Sequence, residues 1–148
     1  MTVHSLLVGT RSGEVLLAKY YQELSTEQKA DFSQKLYENT SPFWEDAMIT
    51  EQVACFDAFS CVFIQINQVL IFLTGFGDDD EIILLTCLRT LVEVFSRVVF
   101  KKSISIQTFH ESYPKASLAI HELIQQGHIQ QLDAESVNRI LKLKGGAA

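Results

Sequence analysis

The chain has 148 residues, 47% of them hydrophobic and 20% charged, with 12 Lys and Arg against 18 Asp and Glu for a net charge of −6. That length predicts one domain with a sizeable core, placed at residues 1–144 and followed by a short flexible tail, GGAA, at 145–148. The acidic balance, with no basic run beyond Lys101-Lys102, argues against nucleic acid and against direct attraction to anionic lipid.

Three cysteines, Cys55, Cys61 and Cys87, are odd in number and lie in apolar stretches, which predicts free thiols in a reducing compartment. The first ten residues, MTVHSLLVGT, lack the basic start and long apolar run of a signal peptide, and no apolar stretch is long enough to span a bilayer. A cytoplasmic protein is expected.

Residues 4–9, HSLLVG, read as a strand, and the turn material Thr10-Arg11-Ser12-Gly13 leads into a second strand over 14–21, EVLLAKYY. Strict alternation in that second strand would put Val15, Leu17 and Lys19 on one side and Leu16, Ala18 and Tyr20 on the other. Ser25 with Gln28 three residues later resembles a capping box and opens a helix over 26–38, with Phe32, Leu36 and Tyr37 as a narrow apolar stripe. Residues 39–42 end it, and an extended segment is expected around 47–56. CVFIQIN at 61–67 and VLIFLTGF at 69–76 form a hairpin turning near Asn67-Gln68, and their continuous apolar runs predict central strands buried on both faces.

The longest helical pattern follows, over 78–100, with Asp79 or Asp80 as its cap and acidic residues at the positive end of its dipole. Its polar residues fall within roughly 120° of the helical wheel and its apolar residues sweep roughly 200°, more than one contact surface requires. One surface would be the sheet. The other is either more of the same fold or a partner chain, in which case isolated protein would be poorly soluble or dimeric. Residues 103–108 read as a linker. Phe109 or Ser112 then starts a helix with Pro114 in its first turn, Leu118, Ile120, Leu123 and Ile124 on its inner face, and Gly127 as its terminating glycine. A short amphipathic helix over 134–144 carries Val137, Ile140 and Leu141 on one side.

No catalytic constellation emerges. His4, His110, His121 and His128 share no recognisable motif with a Ser or Cys nucleophile, and no phosphate-cradling glycine loop is present. No cysteine has a C-x-x-C partner, and the cluster Asp78-Asp79-Asp80-Glu81 lacks EF-hand spacing and is explained as a helix start. No catalytic residue, cofactor or metal is expected.

The element order β-β-α-β-β-β-α-α defines an α+β domain with a central five-stranded antiparallel sheet flanked by helices. With that order, SLLVGTRSGEVLLAKYY, TEQKADF, VLIFLTGFGDDDEIILLTCLRTLVEVF and IHELIQQGHI make the chain resemble a longin (profilin-like) small subunit of a vesicle coat. The resemblance spans residues 4 to about 137, and the L-A-K-Y-Y ending of the first hairpin is its most specific part. Clathrin-adaptor sigma chains, the zeta chain of coatomer and the small chain of the TSET (TPLATE) complex share the pattern.

The resemblance implies a non-catalytic subunit seated in the curved trunk of a large helical-solenoid subunit, then joined by medium and second large subunits, and peripheral at membranes only through that complex. It also implies that Leu84, Leu88, Leu91, Phe95 and Val99 of the central helix supply the partner interface. Sigma chains carry a basic residue just before L-A-K that helps hold acidic dileucine signals, and Asn-Val after the central helix; here those positions are Leu16 and Lys101-Lys102. The TSET small chain is therefore the first choice, zeta second and a divergent sigma third. Longin modules that bind and regulate a small GTPase or a SNARE are the alternative class.

Overall fold

A computed structural model describes residues 3–77, 81–101 and 103–130, together with Glu135 and Arg139. Five strands form one antiparallel sheet: β1 (Val3–Gly9), β2 (Val15–Tyr20), β3 (Gln52–Phe56), β4 (Phe59–Ile66) and β5 (Val69–Phe76), in the order β2-β1-β5-β4-β3. The middle three strands read as nearly unbroken apolar runs because both their faces are covered. Leu6, Val8, Val62, Ile71 and Leu73 belong to one buried cluster, and the alternating Leu7, Cys61, Phe63, Leu70 and Phe72 belong to the other.

The first cluster is closed by α3 (Glu81–Val94) and α5 (Tyr113–Leu123). The second is closed by α1 (Thr26–Thr40), which sends Phe32 and Leu36 into it, and by the single turn α2 (Trp44–Ala47), which adds Ala47. The capping box is present: Gln28 N–H donates to Ser25 Oγ at 3.1 Å and Ser25 N–H to Gln28 Oε1 at 2.8 Å. Asn67 takes a left-handed φ of 55° in the two-residue β4–β5 turn, and its Nδ2 donates to Ile104 O at 2.7 Å. Gly9 must lack a side chain, since a Cβ there would lie 2.6 Å from Tyr37 Oη and 2.8 Å from Glu14 O.

Several expectations are corrected. Val8 pairs with Leu17 while Gly9 pairs with Val15, so Leu16 is the extra residue of a β-bulge, and Leu16 and Leu17 both enter the α3-side cluster instead of alternating. The segment after α1 is a 3-10 turn (Ser41–Phe43) and α2, and the extended part begins only at Gln52. Within the expected linker begins α4 (Ile106–Glu111), whose cap pairs Ser105 with Thr108, a polar box without the Glu or Gln that usually marks one.

Gly127 does not end α5. It forms, with Gln126, the positive-φ turn of a small hairpin between β6 (Ile124–Gln125) and β7 (His128–Ile129), and its carbonyl accepts from Val3 N–H. The helix over 78–100 is α3 followed by a π-helical turn (Phe95–Val99), in which Phe100 N–H reaches back to Phe95 O at 2.9 Å. That turn lets both Phe95 and Phe100 pack on Phe109, with ring centroids 5.3 and 4.9 Å away. The proposed caps Asp79 and Asp80 lie outside the described residues, as does the 134–144 helix apart from Glu135 and Arg139, which are helical.

Two outcomes follow. Leu88 is wholly buried, so Leu88→Ala should lower unfolding free energy by about 3 kcal/mol in urea titrations. His4 is also buried, its ring 4.6 Å from both Phe32 and Phe59, and that burial holds its pKa below the ordinary 6.5. The folded state thus resists a proton that the unfolded chain accepts. Its contribution is intact above pH 6.5 and is lost as pH falls towards the lower folded value. The urea midpoint should drop on going from pH 7.5 to about 5.5, and by less in His4→Phe.

Candidate partner interface

The five central-helix residues expected at a partner surface are inside the chain's own fold: Leu84, Leu88 and Phe95 have no exposed area, Leu91 has 1% and Val99 has 5%. The wide apolar arc is accounted for by two internal neighbours, the sheet on one side and α5 on the other. The expectation that this arc makes isolated protein sticky thereby loses its basis. Of the apolar residues on α3, Ile82 is 72% exposed, and Ile83, Leu85 and Val92 are half-buried.

Two stretches of surface carry large exposed apolar side chains beside fixed charges. Along the outer strand β3, Val53 is exposed, and Ile82 is exposed on the first turn of α3. The strand end and the helix are tied by Arg89, whose Nε donates to Glu51 Oε1 at 2.9 Å and holds that carboxyl below its usual pKa. The second stretch is the corner formed by the β1–β2 loop and residues 41–50, where Phe43, Met48 and Ile49 are exposed and Arg11 reaches Trp44 and Met48. The corner at residues 41–50 was not singled out from the sequence, because exposed apolar residues in an irregular segment have no periodicity to mark them.

The residues that would set a dileucine pocket are also placed. Leu16 is 8% exposed and packed in the α3-side core. Lys101 is exposed and takes a left-handed φ of 55°, while Lys102 lies outside the described residues. Lys101 shares a shallow cleft with Val99, Glu111, Ser112, Pro114 and Lys115, and burial followed by the charge of Lys101 pulls the Lys115 pKa down. Burial raises Cys61 and Cys87 to about 12, so both are neutral thiols at pH 7. Among the described residues no three His, Cys, Asp or Glu side chains converge to hold a metal, and no helix is long and apolar enough to cross a membrane.

A five-stranded antiparallel sheet with helices on both faces defines an α+β domain of one sheet between two helix layers. The family model of the clathrin adaptor complex small chain matches residues 2–147, and the chain belongs to that family. It is 29% identical over 147 residues to the TSET complex member tstD of Dictyostelium discoideum, covering 96% of this chain and 93% of that one. It is 22% identical over 146 residues to coatomer subunit zeta-1 of Bos taurus, covering 97% of this chain and 78% of the relative. In three dimensions it is similar to a chain in a homology model of the full-length AP-3 complex in a stretched open conformation, with a TM-score of 0.66, 12% identity, and 97% and 94% of the two chains covered. The chain is thus homologous to small subunits of vesicle coats and adaptors, and the GTPase- or SNARE-binding alternative is not favoured.

Proposed function

We infer that this chain is the non-catalytic small subunit of a TSET-type coat complex in vesicle trafficking, bound to the trunk of a large helical subunit and through it to medium and second large subunits. The observation that carries this reading is the 29% identity to the TSET member tstD across nearly the whole of both chains. Coatomer zeta follows at lower identity with less of its length covered. Membrane association is then peripheral and indirect, from the cytoplasmic side, in keeping with a net charge of −6. Of the central helix, Ile82 with its half-buried neighbours Ile83, Leu85 and Val92 is positioned to meet the large chain, while Leu84, Leu88, Leu91, Phe95 and Val99 support that surface from within.

Recognition of an acidic dileucine signal needs a cation beside an apolar slot. In this chain the first position is taken by Leu16, turned into the core, and the second by the exposed Lys101, whose hydrated ammonium group makes a poor wall. Affinity-tagged chain purified from its source cells should carry one large helical-repeat subunit in stoichiometric amount. That heterodimer should show no binding to an acidic dileucine peptide beyond its dialanine control. Recovery with a small GTPase or a SNARE instead would overturn the coat reading. Micromolar binding lost in the dialanine control would move the chain to the clathrin-adaptor sigma branch.

A further inference from the structure

Arg11 is fixed on three sides. Its Nε donates to Gln65 Oε1 at 2.8 Å, and Gln65, only 7% exposed, is itself held by donating from Nε2 to Asn67 O at 2.8 Å. The guanidinium lies 5.8 Å from the centroid of the Trp44 ring, and Nη2 is 3.6 Å from Met48 Sδ, a weak acceptor. Trp44 and Met48 are four residues apart, so the α2 turn presents both to the same cation.

In a chain of net charge −6, none of the ion pairs among the described residues involves Arg11. Glu14 lines the same cleft of about 270 Å³, with its carboxylate 3.9 Å from His110 Nε2. With Nε occupied by Gln65, the guanidinium retains its outer Nη edge for an end-on pair with a carboxylate.

The apolar surroundings point the same way. Phe43 is 43% exposed, Met48 57% and Ile49 85%, three large apolar side chains within seven residues of a short, irregular corner. Scattered exposed apolar residues are ordinary, whereas a group of them beside a cation already held in place has the make-up of a docking surface. Holding Arg11 before binding removes much of the entropy that an extended, mobile arginine would lose. Exposed Glu45 and Asp46 on the same turn supply a negative rim.

We propose that this corner, centred on Arg11 with Phe43, Met48 and Ile49, docks a helical segment of the large partner. That segment sets an Asp or Glu carboxylate against Arg11, apolar side chains against Met48 and Ile49, and basic side chains towards Glu45 and Asp46. The occupant follows from charge complementarity: a cation held against Trp44 and Met48, next to an acidic turn with exposed apolar side chains, calls for the inverse pattern. The proposal rests on the reading of this chain as the small partner of a large helical subunit.

The test uses the purified heterodimer, with affinity measured by titration calorimetry and the contact mapped by amide hydrogen exchange. Arg11→Gln should weaken assembly about tenfold and flatten its salt dependence, and Arg11→Glu should weaken it roughly a hundredfold. Ile49→Asp, at a side chain the fold does not bury, should weaken assembly at least as much as Arg11→Gln without lowering the urea midpoint of the free chain. Lys115→Glu, on the other face, should leave affinity unchanged, and residues 41–50 should gain protection on assembly. Unchanged affinity in Arg11→Gln and Ile49→Asp, with protection elsewhere, overturns the docking site and leaves the proposed function standing. A free chain that dimerises through this corner, with dimerisation lost in Ile49→Asp, also overturns it. Absence of any heterodimer overturns both.

Discussion

Three adjacent strands that are apolar on both faces oblige the chain to cover its sheet twice, and most of the architecture follows from that obligation. β1, β5 and β4 alternate not between oil and water but between two separate cores. A helix layer is therefore required on each side. Loss of either would expose Leu, Ile and Phe side chains that have next to no accessible area in the folded chain. α3 carries the heavier share, and its apolar arc is wide because it is wedged between the sheet and α5. The outer strands β2 and β3 are where exposed residues enter the strand pattern, and the corners beside them are where surface chemistry accumulates.

This arrangement separates two properties that the sequence alone runs together. A long apolar helix reads as an interface, yet the partners of Leu84, Leu88, Leu91, Phe95 and Val99 are within the same chain. The large apolar side chains left exposed include Ile82 on the first turn of α3, Val53 on β3, and Phe43, Met48 and Ile49 in the irregular corner after α1. Binding through such patches does not require the free chain to leave its core open.

The sheet was legible in the sequence because period-two alternation and uninterrupted apolar runs are strong signals over seven or eight residues, as in β1 and β5. The capping box at Ser25 was legible because its chemistry is local. What escaped has a physical reason in each case. A bulge at Leu16 leaves no mark in composition, since it is decided by pairing with β1 across the sheet. α4 opens on a Ser-Thr box in a Ser- and Ile-rich stretch that reads as loop or strand. Gly127 bears the same positive φ whether it ends a helix or turns a hairpin, and what distinguishes the two is the pairing of Ile124 with Ile129 and Gln125 with His128 across it. The cage around Arg11 joins residues 54 apart in sequence, beyond any local pattern.

The bulge also bears on which branch of the family the chain serves. Leu16 is both the position where a basic residue would help hold an acidic signal and the extra residue of the bulge, turned into the core with Leu17. In this backbone a cation at that site would enter the apolar cluster that Leu16 and Leu17 share, at a desolvation cost. The side chain at this position is fixed by the pairing of β1 with β2, which turns it inward beside Leu17. The cation available in the same loop is Arg11, a few residues earlier, and it faces the opposite layer, against Trp44 and Met48.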